Sequence, residues 1–194
     1  GMLQEDTDEA EYHLLSEFWR ICEAYDQLIA WNGDRFDFPV LQARSVARGV
    51  AVKDFRRWLY LDQLLVFKRQ NTSSESGEEK QSFKLEDIAQ SILKEGKDDF
   101  DSSKTWEAWN TGGESRARLL AYNLKDTRLL AKLEDATGYI ALTQTICEAA
   151  RCLPESRSLN PTMQVDGFML ALGRVKGFHF PSYFFDEVKP DKYP

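Results

Sequence analysis

Apolar residues recur at spacings of three and four over most of the chain, which is the pattern of amphipathic helices. In residues 9–27 they occupy Leu14, Leu15, Phe18, Ile21, Cys22 and Tyr25. The pattern predicts a helix there, and a second helix that begins at Phe38 with a proline in its first turn and ends at Gly49. Further helices are predicted over residues 83–93, 105–109, 114–136, 139–151 and 163–175.

Two apolar runs predict strands instead. Residues 28–31 form a short run that stops at Asn32-Gly33, which is typical of a buried strand ending in a sharp turn. Residues 58–67 alternate enough to predict a second strand, with Asp62 inside it in a structural role. Strands that alternate with helices in this order indicate an α/β fold.

The sequence predicts a main domain over residues 2–136 followed by a helical tail over residues 137–194. Within the main domain, residues 70–82 are polar and aperiodic, so we expect an exposed loop there. The aromatic, proline-bearing C-terminus is expected to add no more than a short strand.

The composition is that of an ordinary globular protein. Of 194 residues, 42% are hydrophobic and 12% aromatic, which argues against a disordered or low-complexity chain. No run reaches the roughly 18 to 20 apolar residues that a membrane span needs, so we expect no membrane association. Three cysteines and two histidines indicate no zinc site and favour a reducing, cytoplasmic location.

Charge is segregated along the sequence, although the net charge is −7. Residues 1–43 carry ten acids and two bases, a net charge of −8, whereas residues 44–70 carry seven bases and two acids, a net charge of +5. Such a basic stretch is compatible with a solvated helix face. It is also compatible with a phosphate-facing strip beside an acidic metal site, with Arg44 and Arg48 at its start.

Two short motifs carry the candidate chemistry. The first is Asn-Gly-Asp-Arg-Phe-Asp-Phe-Pro over residues 32–39, where a strand turns into a helix. The second is Tyr-Asn-Leu-Lys-Asp over residues 122–126, whose first and last residues share one helix face at a spacing of four. Each has a structural explanation when taken alone: a tight turn, an acid favoured at a helix N-terminus, or a surface pair.

Taken together, the two motifs resemble the second and third exonuclease motifs of family-B DNA polymerases. More broadly, they resemble the DEDDy group of 3′–5′ exonucleases, which have a ribonuclease H-like fold. The intervening residues 60–62, 84–89 and 96–98 also resemble that family, and the helical tail resembles the polymerase segment that follows the exonuclease. The resemblance therefore covers most of residues 10–181.

The resemblance implies a metal-dependent hydrolase that uses two Mg²⁺ or Mn²⁺ ions to cleave phosphodiesters. Asp37 and Asp126 would be the metal ligands, and Tyr122 would orient the attacking water. The residues that would contact the terminal nucleotides at the 3′ end of a single-stranded DNA or RNA are Asn32, Gly33 and Phe36.

The family's first motif, an Asp-x-Glu on the opening strand of an antiparallel meander, has no counterpart before the first helix of this sequence. We therefore expect a truncated ribonuclease H-like exonuclease fold with weak metal binding and impaired hydrolysis by this chain alone. Three explanations stay open: strands supplied by a polymerase or another partner chain, an inactive relative or polymerase remnant that serves as a protein-interaction module, or a start site assigned too far downstream. An uncovered sheet edge also predicts a homo-oligomer.

Overall fold

The computed structural model describes residues 7–52, 54–71, 82–95 and 100–180. Most of the predicted loop over residues 70–82, the family-like residues 96–98 and the aromatic C-terminus from residue 181 lie outside the described residues. The described strands and α-helices, in chain order, are α1 Asp8–Cys22, β1 Gln27–Ala30, α2 Asp37–Ala47, β2 Leu59–Asp62, α3 Gln63–Asn71, α4 Leu85–Leu93, α5 Thr105–Thr111, α6 Gly113–Thr137, α7 Tyr139–Ala150 and α8 Pro161–Lys176.

The two described strands pair in parallel, with Ile29 opposite Leu61 and Ala30 opposite Asp62. The chain crosses from β1 to β2 through α2, as parallel strands require a long connection. The molecule is therefore mixed α/β, with a small parallel sheet among many helices, and no antiparallel strand occurs in the described ranges. Because both strands run in the same direction, their carboxyl ends meet at one edge of the sheet.

The seven helices that the apolar spacing predicts are all confirmed. The largest difference is in α1, which ends at Cys22 rather than at residue 27, because the chain turns there and enters β1 at Gln27. The end of α2 is as predicted: Gly49 takes the left-handed conformation (φ +67°), and the Val50 N–H donates to the Ser45 carbonyl at 2.9 Å.

The predicted strand over residues 58–67 is wrong beyond Asp62, because residues 63–71 form α3. The cause is the Asp62 side chain, whose Oδ1 accepts a hydrogen bond from the Leu64 backbone N–H at 3.0 Å and so caps the helix. Leu64, Val66 and Phe67 of this helix are all buried. A short helix that is buried on most sides has nearly continuous apolar residues, which cannot be told from a strand by periodicity.

Hydrogen bonds from two tryptophan side chains stabilise the packing of α1 against α2 and the sheet. The Trp19 indole N–H donates to Ser45 Oγ at 2.7 Å, and that hydroxyl donates to the Leu41 carbonyl at 2.6 Å. The Trp58 indole N–H donates to the Cys22 carbonyl at 2.9 Å. These buried polar groups are paired, so the apolar cluster of Trp19, Cys22 and Trp58 forms without a desolvation penalty for the indoles.

Residues from the predicted tail pack into the core beside β2. Ile140 of α7 and Leu159 share one apolar cluster with Leu61 and Val66, and all four are buried. The division at residue 136 stays a prediction. The structure does place α7, the first helix of the tail, against α3, and residues 156–159 of the tail against β2, the strand that carries Asp62.

None of the described helices is both long enough and apolar enough to span a membrane.

Candidate nucleic-acid site at the strand ends

The turn after β1 has a backbone shape that its two central residues make possible. Asn32 has a φ of +61°, a conformation that asparagine tolerates better than most residues. Gly33 is buried, and a Cβ at that position would lie 2.7 Å from both Ala30 Cβ and the ring of Phe38. Only glycine fits, so the Asn-Gly pair sets how β1 enters α2. Phe36, just before α2, is 62% exposed.

Asp62 anchors this turn from the neighbouring strand. Its side chain is 1% exposed, and its Oδ1 accepts the backbone N–H of Asn32 at 2.9 Å as well as that of Leu64. Its Oδ2 accepts the backbone N–H of Asp34 at 3.4 Å. The buried carboxylate is therefore used for structure, as the sequence predicts for Asp62, and it holds the motif turn at the carboxyl end of β2.

Ser156 completes the arrangement, although nothing in the sequence near it pointed to the site. Its Oγ accepts the backbone N–H of Asp62 at 2.8 Å and lies 3.1 Å from Asp34 Oδ1, to which it can donate. It comes from the short helix Ser156–Leu159, which belongs to the predicted tail. We call Asn32, Asp34, Asp62 and Ser156 the strand-end network.

Negative charge is concentrated at this edge. Partial burial raises the pKa of Asp34; the Ser156 hydrogen bond opposes this rise, and the charges of Asp62 and Glu155 add to it. Partial burial also raises the pKa of Asp37, with a further contribution from the charge of Asp62 and opposition from a backbone hydrogen bond. Ionisation of these carboxyl groups is therefore disfavoured at this edge, and a bound cation would stabilise their ionised forms.

α6, the helix that carries the second motif, is joined to the residue that follows Asp62. The Gln63 side-chain amide donates to the Leu130 carbonyl at 3.1 Å, which ties α6 to the residue that follows Asp62. Asp126 lies one helical turn before Leu130, about 6 Å along the axis. The Gln63 Oε1 is buried and has no hydrogen-bond partner among the described residues.

Tyr122 lies in an open cleft between α5 and α6, with a volume of about 850 Å³. Its ring packs against that of Phe100, with centroids 5.2 Å apart. The basic residues of the lining are Lys104, Arg118 and Lys125, and the acidic ones are Asp101 and Glu107. We call this the α6 cleft.

The two arginines expected to face nucleic acid are paired with acids of α1. Arg44 binds both oxygens of the Glu11 carboxylate, and Arg48 contacts Glu11 at 2.5 Å and Asp8 at 2.6 Å. The hydrogen bond from Arg44 has the largest effect on the pKa of Glu11 and lowers it; burial opposes this, and the hydrogen bond from Arg48 lowers the pKa further. These ion pairs join α1 to α2, and contact of either arginine with nucleic acid stays a prediction.

The described residues do not fit a two-metal centre. No three side chains of His, Cys, Asp or Glu come together in the described ranges in a way that could hold a metal ion. Both oxygens of Asp62 accept backbone hydrogen bonds, so that carboxylate is engaged. Asp37 and Asp126 alone supply too few carboxylates for two divalent cations.

Comparison with known proteins places this geometry in a family. Residues 2–137 match the model of the RNase H superfamily. An uncharacterized protein of Methanocaldococcus jannaschii is 30% identical over 125 residues, which are 61% of this chain and 68% of that protein.

DNA polymerase 1 of Aeropyrum pernix is 28% identical over 149 residues. The match covers 69% of this chain but only 15% of the polymerase, so the chain corresponds to a small part of that enzyme. The superfamily match covers well over half of the sequence and includes both motifs, the small parallel sheet and α6. The chain belongs to the RNase H superfamily.

Proposed function

We propose that this chain binds the 3′ end of a single-stranded nucleic acid, as a 3′–5′ exonuclease-like domain, between the strand-end network and the α6 cleft. The observation that carries the proposal is that hydrogen bonds join the turn of the first motif to Asp62 and α6, the helix that carries the second motif, to the adjacent Gln63. Membership of the RNase H superfamily and similarity to a DNA polymerase support it.

Aromatic side chains supply the binding chemistry in this proposal. Phe36 presents an exposed ring beside the turn, and Tyr122 presents a ring in the α6 cleft. Stacking of one base on an aromatic ring contributes about 1 to 3 kcal/mol and needs no particular base. The site would therefore accept DNA or RNA without sequence preference.

Hydrolysis is a separate matter from binding. RNase H-like nucleases use divalent metal ions, and here Asp37 and Asp126 would be the carboxylates that hold Mg²⁺ or Mn²⁺. Because the described residues supply no third ligand, we infer that hydrolysis by this chain is weak and depends on carboxylates beyond them. A polymerase or another partner chain that adds strands to the small parallel sheet would be their source.

The test is binding of fluorescent single-stranded oligonucleotides in the presence of manganese. A linear oligonucleotide with a free 3′ hydroxyl should bind at least about tenfold more tightly than a circular one of the same sequence. Phe36→Ala and Tyr122→Ala should each weaken binding by about tenfold, the effect of losing one stacked base.

Matched controls separate the site from general surface effects. Val46→Ala removes an exposed apolar side chain of α2, and Trp106→Ala removes an exposed ring of α5 outside the α6 cleft. Both should bind like the unmodified chain. Equal binding of linear and circular strands would contradict the proposal, and 3′ degradation that Asp37→Ala and Asp126→Ala abolish would contradict weak hydrolysis.

One observation favours a second function, that of a noncatalytic protein-interaction module. α8 exposes much of its apolar surface: its most exposed apolar residues are Val165, Phe168, Leu170 and Val175, at 59%, 51%, 63% and 81%. Contiguous exposed apolar surface is typical of an interface. If two copies associate through α8, sedimentation should show a concentration-dependent dimer that Leu170→Glu abolishes. A monomer at all concentrations would contradict this alternative.

A further inference from the structure

The end of α7 brings two cysteines together. Arg151 ends the helix in the left-handed conformation, with a φ of +58°. Its N–H donates to the Glu148 carbonyl at 3.1 Å, and the Cys152 N–H donates to the Cys147 carbonyl at 3.0 Å. This pair of hydrogen bonds is the Schellman turn, in which the residues at the two ends of the longer hydrogen bond, here positions 147 and 152, frequently pack their side chains together. Here both of those residues are cysteines.

The backbone hydrogen bond limits how far apart the two residues can be. With 3.0 Å between the Cys152 nitrogen and the Cys147 oxygen, standard bond lengths keep the two Cα atoms within about 6.9 Å. Cysteines whose Cα atoms lie more than about 7 Å apart cannot be bridged without backbone movement, and this pair lies within that limit. The two thiols are close enough for Cys152 to affect the pKa of Cys147, and neither is in a disulfide.

We propose that Cys147 and Cys152 form a reversible disulfide that closes the turn at the end of α7. The proposal is independent of the proposed function, because neither cysteine belongs to the strand-end network or the α6 cleft. The oxidant is a small-molecule disulfide, which accepts two electrons from the thiol pair.

The environments of the two thiols assign the order of the steps. Cys152 is partly exposed, whereas Cys147 is fully buried, and burial together with the neighbouring Cys152 raises the pKa of Cys147 to about 11. The Cys152 thiolate therefore attacks the small disulfide first, forming a mixed disulfide and releasing one thiolate. Cys147 then loses its proton and attacks the Cys152 sulfur, which forms the internal disulfide and releases the second thiolate.

The position of this pair links it to the rest of the molecule. The chain runs from Cys152 directly to Ser156, which contacts Asp34 and Asp62 at the strand ends. α8 lies against the same turn, since a Cβ on Gly167 would be 2.4 Å from the Ala150 carbonyl oxygen. The disulfide would therefore restrain the segment that carries Ser156.

The test treats the folded, reduced chain with glutathione disulfide, quenches with acid, blocks free thiols and maps the cysteines by mass spectrometry. We expect a monomer lighter by about 2 Da before blocking, the mass of the two hydrogens lost, with a peptide linking Cys147 to Cys152 and a free Cys22. Dithiothreitol should restore the starting mass.

Variants make the result specific. Cys22→Ala removes the other buried cysteine and should oxidise like the unmodified chain. Cys147→Ala should stop at Cys152 carrying one glutathione, and Cys152→Ala should not react. In the unmodified chain, glutathione left on Cys152 without the internal link, a link that includes Cys22, or no reaction at all would each overturn the proposal, whether or not a variant folds.

Discussion

The two halves of the candidate site are built in different ways. The strand-end network holds its residues with a buried carboxylate that accepts three backbone hydrogen bonds and with a serine from a distant segment. The α6 cleft presents Tyr122 from a long helix in an open space of about 850 Å³. The turn is therefore preorganised by buried polar contacts, whereas the α6 half relies on helix packing and keeps room for a ligand.

The largest expected effect is that of substituting Asp62, whose carboxylate holds the strand-end network together. Asp62→Ala removes the acceptor of three backbone N–H groups and should cost about 3 kcal/mol or more in the free energy of unfolding. Asp62→Asn keeps an oxygen for the Asn32 and Leu64 N–H groups but turns an amide toward Asp34, so it should cost about 1 to 2 kcal/mol. Urea denaturation measures both, and small, equal losses would mean that the turn stands without the carboxylate.

The next largest effect tests whether steric contacts at Gly33, or only the backbone conformation, determine the shape of the turn. Gly33→Ala would place a Cβ 2.7 Å from Ala30 Cβ and from the Phe38 ring, and it should cost about 2 to 3 kcal/mol. Gly49→Ala is the matched control because its Cβ would meet nothing within 4 Å. Its positive φ alone should cost about 1 kcal/mol. Equal losses in thermal or urea unfolding would remove the steric argument.

A smaller effect is expected in the open half. Tyr122→Ala should cost about 1 kcal/mol in the free energy of unfolding, mostly through the lost ring contact with Phe100. A double-mutant cycle with Phe100→Ala should give a coupling of about 0.5 to 1.5 kcal/mol. A coupling near zero would show that the two rings do not support each other in solution.

The smallest effect is a pH dependence at Asp37. The pKa of Asp37 is raised in the folded protein, so ionisation of this carboxyl group destabilises the fold. The loss of stability is absent below the unfolded pKa of about 3.9 and complete above the folded pKa. Asp37→Asn should therefore match the unmodified chain at low pH and exceed its stability at pH 7 by less than about 1 kcal/mol. Urea denaturation across this range measures the difference, and a gain that is constant with pH would rule out ionisation as its cause.

Local patterns in the sequence were enough to predict most elements. Apolar residues at spacings of three and four predicted seven helices, all of which the structure contains, because a helix that buries one face must repeat its apolar residues at that period. The Asn32-Gly33 turn was also predictable, since few residue pairs combine a left-handed conformation with a buried glycine. The two motifs, together with the intervening residues that resemble the same family, were sufficient to indicate the RNase H superfamily.

Contacts between residues that are distant in the sequence determined which polar groups meet, and local sequence patterns could not predict them. Asp62 ends β2 and caps α3 because its carboxylate meets N–H groups of both the β1 turn and α3. Ser156 reaches the strand ends from 94 residues away along the chain. Arg44 pairs with Glu11 because α1 packs on α2, a contact that the sequence did not indicate. A local pattern reports which face of an element is buried, but only the packed chain determines which polar groups meet there.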